Sequence, residues 1–213
     1  MAPEITAEFV WSHIPKRPRE SNKGSFGAVL AVYPFTPQQV ISQSIINVAP
    51  MPVFVGVGGG ITNGVRSAII AKDAEGDGAW GVVVNAPVTN DNIKLISTTV
   101  DVPIIATVIH ESADIQARLD AGVSILNVSA ASRTPLVVKK IREKFPKVPI
   151  IATGGPTPQS ILATIEAGAN CISYTPPSTA EIFADIMKSY REQEDVNESA
   201  EDHVTILDAI ERM

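Results

Sequence analysis

Seven short runs of apolar, largely β-branched residues recur along the chain, at residues 28–33, 53–57, 81–85, 104–109, 124–128, 150–153 and 171–175. Most are continuously apolar rather than alternating, the pattern of a strand buried on both faces and hence of a parallel sheet. The stretches between them carry helix start signals. Thr36-Pro37, Thr134-Pro135 and Thr157-Pro158 each set a capping hydroxyl before a proline suited to the first helical turn. Ser112 and Ser178 are further caps, and Ser178 with Glu181 has capping-box spacing. Gly122 and Gly168 are expected to close their helices in the left-handed conformation.

Within this pattern, residues 102–129 return in register 46 positions later as residues 148–175. VPIIAT at Val102–Thr107 recurs unchanged at Val148–Thr153, and ARLDAGVSILN at Ala117–Asn127 returns as ATIEAGANCIS at Ala163–Ser173. Each copy reads as a strand, an amphipathic helix ending at Ala-Gly, and the next strand, so the spacing is two β/α units. Uniform units and an in-register repeat predict a single parallel β/α (TIM-like) barrel of seven or eight strands, an eighth strand coming from the N-terminal arm if present. A doubly wound open sheet is the competing arrangement. The expected organisation is an arm at residues 1–24, the barrel at 25–191, and an acidic tether with a short helix at 192–213. In that tail Val204, Ile206, Leu207 and Ile210 form an apolar stripe, which points to docking on the barrel or on a second subunit in a homo-oligomer. In the arm, Trp11 is expected to pack across the barrel end.

A chain of 213 residues, 45% of them apolar, has ample core for one domain. Its net charge of −6 disfavours a broad nucleic-acid surface, leaving the basic stretch Lys16–Lys23 as the candidate RNA contact. No apolar run is long enough to span a membrane, and the N-terminus lacks the pattern of a secretory signal. The single cysteine, Cys171, lies in a strand and excludes a disulfide within the chain, which fits a cytoplasmic protein.

Candidate chemistry collects at the C-terminal strand ends, where the loops of a β/α barrel form its active face. Gly154, Gly155, Thr175 and Ser178 are the candidate phosphate site: glycines admit backbone N–H groups to an anion, and the following helix N-terminus adds positive partial charge. The alternative is a tight turn and an ordinary helix cap. The repeat bears on this, because the first copy has Val108-Ile109 where the second has the glycine pair. Gly58, Gly59 and Gly60 are expected to give a substrate room, and Arg66 to meet an anion or face solvent. His110 is the candidate acid–base residue, with a structural hydrogen-bonding role as the alternative. Asn85 and Asn127 are expected to orient substrate. No strand-end lysine, metal-ligand cluster, dinucleotide fingerprint or G-x-S-x-G elbow is present, so no cofactor or metal is expected. These features suit an enzyme of hydrolase or lyase/isomerase type, or a metabolite-sensing regulator.

The strand and helix at residues 124–145, the Ile150–Gly155 strand end, Glu166-Ala167-Gly168-Ala169 and the Ser173–Thr175 strand end resemble the glycerol-uptake operon antiterminator family of β/α barrels. The resemblance covers residues 52–185 and implies a glycerol 3-phosphate type site at Gly154, Gly155 and Thr175, with leader RNA as partner. Other phosphate-binding barrels, including thiazole synthase and sugar-phosphate epimerases, share this strand end. The chain is also similar to bacterial barrel proteins labelled only as hydrolases. It differs from the antiterminator family in its Gly58-Gly59-Gly60 loop and in Asn127-Val128-Ser129.

Overall fold

A computed structural model describes residues 8–12, 27–33, 36–175, 180, 183–184 and 186–192. The basic stretch Lys16–Lys23, the Pro34-Phe35 loop, Ser178 and the tail from residue 193 lie outside the described residues. The chain forms two units, Met1–Pro176 and Pro177–Met213. In the second, residues 186–192 are helical, and Lys188 pairs with Glu192 at 3.8 Å.

The first unit is a closed barrel of eight strands. Seven are parallel and match the apolar runs: β2 (Ala28–Ala31), β3 (Val53–Gly58), β4 (Gly81–Val84), β5 (Ile104–Val108), β6 (Ile125–Val128), β7 (Ile150–Thr153) and β8 (Cys171–Tyr174). Six helices alternate with them: α1 (Gln39–Val48), α2 (Val65–Gly76), α3 (Asn90–Ser97), α4 (Ile115–Asp120), α5 (Thr134–Lys144) and α6 (Pro158–Glu166). The eighth strand, β1 (Glu8–Ser12), runs antiparallel between β2 and β8, with Phe9 opposite both Val29 and Tyr174.

The eighth strand thus comes from the N-terminal arm, as one of the expected alternatives had it, and the departure is that it runs antiparallel to its neighbours. The backbone of Trp11 pairs in register with Ile172. The physical reason is edge satisfaction: seven parallel strands leave β2 and β8 with unpaired backbone groups, and one inserted strand closes both.

Two apolar layers hold the barrel. Ala28, Leu30, Val83, Ile105 and Ile151, with Val32, Phe54, Ile125 and Cys171 against them, fill the interior. The larger layer, including Val55, Val84, Ile93, Ile96, Val108, Leu126, Val137, Val138 and Ile150, joins strands to helices. Burial on both faces is why the runs are continuously apolar. Gly81 makes room for a large neighbour, since a Cβ there would come within 2.9 Å of the Phe54 ring.

The helix starts follow local chemistry, not always at the expected residue. Thr157 caps α6 in a reciprocal box with Ser160, as its spacing predicts. Thr36 does not cap α1, whose cap is Gln38, with N–H and C=O both bonded to the Tyr33 hydroxyl. Ser112 does not cap α4; Asp114 does, accepting from Ala117 N. Thr134 begins α5 but turns back to accept from Ala130 N at 3.0 Å. Gly122 and Gly168 follow their helices with φ of +112° and +105°, as expected.

Candidate functional site

At the C-terminal mouth the interior becomes polar. The last inward positions of β5 to β8 are Thr107, Asn127, Thr153 and Ser173, with Thr107 level with Asn127 and Thr153 level with Ser173. These pairs are 46 residues apart, so the duplicated segment contributes a duplicated polar pair. In the second, the Thr153 and Ser173 hydroxyls lie 3.3 Å apart.

The first pair is extended by Asn85, just beyond β4. Asn127 Nδ2 donates to Thr107 Oγ1 at 3.3 Å, and Thr107 Oγ1 donates to Asn85 Oδ1 at 3.2 Å. Asn127 is only 6% exposed, and its Oδ1 is buried without a hydrogen-bond partner. Asn85 Nδ2 has no partner among the described residues. A relay of this kind ends in one free acceptor and one free donor. Turning both amides over reverses it, so the same side chains can meet a ligand of either polarity.

Asn85 also lines a cleft of about 240 Å³ at the ends of β2, β3 and β4, with Val32, Gly56, Gly58, Gly60, Ile61 and Thr62. The glycine triplet divides by role. Gly58 and Gly59 have φ of +122° and +119°, and a Cβ on Gly59 would lie 2.0 Å from Asn85 O. Both are therefore required by the turn and by close backbone approach. Gly60 has nothing within 4 Å of a Cβ and opens onto the cleft. Arg66 is exposed on the first turn of α2, outside the cleft lining, and makes no hydrogen bond or ion pair among the described residues.

The glycine pair after β7 sits at the same mouth as Asn127, and its geometry is specific. Gly154 N–H is committed to Ser173 O at 3.2 Å, and a Cβ there would come within 2.8 Å of both Ile161 and Ile172. Packing thus accounts for this glycine. Gly155 has φ +78°, and its N–H has no partner among the described residues. The first-turn donors nearby are partly used, because Thr157 N donates to Ser160 Oγ and Ser160 N to Thr157 Oγ1. Thr175 is exposed after β8, and Ser178 lies outside the described residues.

His110 lies on the rim, exposed, and its recorded partners are not the two asparagines. Its Nδ1 takes the Ser112 N–H at 3.2 Å and lies 2.8 Å from Ser112 Oγ, while Nε2 is 3.3 Å from Arg133 Nη1. Glu111 pairs with Lys140 at 2.7 Å. The Lys140 ammonium, by hydrogen bond and charge, holds the Glu111 carboxyl below the ordinary carboxylate value, with smaller help from His110 and Arg133. The structure therefore brings Asn85 and Asn127 together through Thr107 and sets His110 apart with Arg133.

Thr107, Thr153, Ser173 and Arg133 were missed as site residues. A signal existed for Thr107 and Thr153, since each copy of the repeated VPIIAT carries a threonine in the inward phase near its strand end, and for Ser173 the signal was its place 46 residues after Asn127. For Arg133 the position alone, in the loop after a strand, was available.

No protein-family model and no curated protein matches the sequence. Similar solved structures include 2,3-dimethylmalate lyase, a PEP mutase/isocitrate lyase superfamily member, with TM-score 0.56, 14% identity, and coverage of 73% of this chain and 64% of that one. Phosphonopyruvate hydrolase gives TM-score 0.54 and 17% identity over 76% of this chain and 66% of its own. A phosphonopyruvate hydrolase complex with oxalate and magnesium gives 0.51 and 19% over 62% and 56%. The fold is that of a TIM-like barrel. At these identities the likeness establishes the architecture, and the chain spans roughly three-fifths of the length of these proteins. None of the three is an antiterminator. No helix among the described residues is long and apolar enough to cross a membrane.

Proposed function

We propose that this protein is a barrel enzyme acting on a small anionic metabolite, phosphorylated or carboxylate, by lyase, isomerase or hydrolase chemistry. The observation that carries the reading is Asn127 Oδ1, a buried acceptor with no partner at the barrel mouth. An orphan of this kind is costly to keep, and a ligand that donates to it accounts for its retention. Asn85 Nδ2 then binds a carbonyl or hydroxyl oxygen of the ligand, and Thr107 locks the two amides in complementary orientations. His110 is the group able to carry a proton at the rim, through Nε2, because Nδ1 is engaged by Ser112. Gly155, Thr175 and Ser178 are retained as a candidate site for the anionic group. The similar barrels named above act on small acids by their names, which agrees with the reading without carrying it. Among the described residues no three His, Cys, Asp or Glu side chains come together, so the magnesium of the oxalate complex has no matching donor set there.

The regulator reading is favoured by one feature: the interior side chains described at the mouth are amides and hydroxyls, with no carboxylate to pair with His110. A thermal-shift screen of small carboxylates and sugar phosphates, followed by turnover assays on every hit, separates the two. Stabilisation with turnover supports the enzyme. Saturable stabilisation without turnover supports a sensor, whose RNA contact would be sought in Lys16–Lys23. No hit dependent on Asn127 overturns both.

A further inference from the structure

The contact between His110 and Arg133 is unexplained by folding. Arg133 Nη1 can only donate, yet it sits 3.3 Å from His110 Nε2, while the Ser112 N–H is directed at Nδ1 of the same ring. A neutral imidazole has one lone pair to offer, so the two donors compete for it, and a protonated ring offers none. Both side chains are exposed, and solvent would let them separate. The one carboxylate in this group, Glu111, pairs directly with Lys140 and interacts only weakly with His110 and Arg133, so Arg133 makes no ion pair among the described residues.

The loop that delivers Arg133 is itself strained. Ala131 has φ +52°, the only non-glycine residue with positive φ among those described, a conformation costing about 1–2 kcal/mol for an L-residue. The loop is tied at its base, where Thr134 Oγ1, nearly fully buried, accepts from Ala130 N. Strain of this sort persists where the surrounding structure enforces it, and it collects at ligand sites. The two loops concerned leave β5 and β6, the strands that carry Thr107 and Asn127.

We infer that Arg133 and His110 form an anion grip on the rim, holding a carboxylate or phosphate group of the ligand whose uncharged end meets Asn127 and Asn85. The inference rests on the mouth being the ligand site. It places a charged group of the ligand beside β5 and β6, where two side chains supply donors; after β7, Gly154 N–H is committed to the sheet and Gly155 N–H is the one backbone donor of the pair left open among the described residues. Arginine offers a carboxylate or phosphate two parallel donors, and His110 Nε2 adds a third from the facing loop.

The test uses the whole protein with inorganic phosphate as probe, reading imidazole resonances by NMR and assigning His110 through a His110→Gln variant. Phosphate should move the His110 resonance along a saturating curve. Arg133→Gln should raise the half-saturating concentration at least tenfold. Lys147→Gln, which removes an exposed cation near the opposite end of α5, should leave it within twofold. A His110 resonance that does not saturate, an Arg133→Gln curve matching wild type, or an equal loss in Lys147→Gln overturns the grip. Those outcomes leave the Asn127-dependent binding of a metabolite to be judged by the screen above, so the two failures are distinguishable.

Discussion

Replacing Asn127 with leucine should make the protein more stable while removing its ligand. The wild-type residue keeps an unpaired oxygen in a site 6% exposed. Relieving a buried orphan acceptor is worth about 1–3 kcal/mol. Against this stands the loss of the Asn127–Thr107 hydrogen bond, about 0.5–1.5 kcal/mol. Thr107 is not orphaned by the change, because its hydroxyl still donates to Asn85 Oδ1. Leucine is similar in size and adds apolar surface beside Ile105 and Ile151 of the interior layer. The net gain is about 1–2 kcal/mol. For a domain of this size it corresponds to roughly 2–8 °C in melting temperature. Urea titration followed by circular dichroism measures it, with an unchanged m-value as evidence that the fold is the same. Destabilisation by more than about 1 kcal/mol would refute the reasoning, because it would mean that the amide is a satisfied strut of the barrel.

Other consequences follow from the same geometry. Gly59→Ala puts a Cβ against Asn85 O and should cost about 3 kcal/mol or more, whereas Gly60→Ala, with open space around it, should stay within about 0.5 kcal/mol by the same titration. The Glu75 carboxyl is lowered chiefly by its Lys72 hydrogen bond, and it also accepts from the N–H groups of Asp101 and Val102. A lowered carboxyl stabilises the fold above its unfolded value and loses that contribution as pH falls through the folded value. Glu75→Gln, whose amide oxygen can still accept from both N–H groups, should therefore cost no more than about 1 kcal/mol at neutral pH, and the gap to wild type should close as the pH drops below 4.5. Arg142 donates to the carbonyls of Phe145, Pro146, Val148 and Gly168 and to Asn170 Oδ1 at the far end of the barrel. Arg142→Ala should cost roughly 2–4 kcal/mol and leave ligand affinity unchanged in calorimetry.

The parallel part of the fold was legible because its signal is periodic. Continuous β-branched runs and glycines two residues beyond the helix ends fix strands and helices through local physics, and all seven strands fall where those runs lie. The antiparallel β1 was not legible in kind. Phe9, Val10 and Trp11 are apolar enough to pack anywhere, and only the unpaired edges of β2 and β8 decide where they go. Helix starts were misjudged where a hydroxyl had a competing partner, as for Ser112 with His110 and Thr134 with Ala130. For the site, sequence order finds the strand ends but not which side chains share a face. Asn85 and Asn127 were found as strand-end amides, whereas Thr107, which joins them, was hidden inside the repeated VPIIAT as an ordinary strand residue. Arg133 comes beside His110 from a loop that turns at a left-handed alanine, Ala131, which no residue-type preference would suggest.

The most direct measurement of the central claim is a thermal-shift titration of wild type and Asn127→Leu, side by side, against small carboxylates and sugar phosphates. The account predicts at least one compound that raises the wild-type melting temperature with a saturating dose dependence and leaves the more stable Asn127→Leu unmoved. Equal stabilisation of the two proteins by every active compound, or a wild type that responds to none, would contradict it.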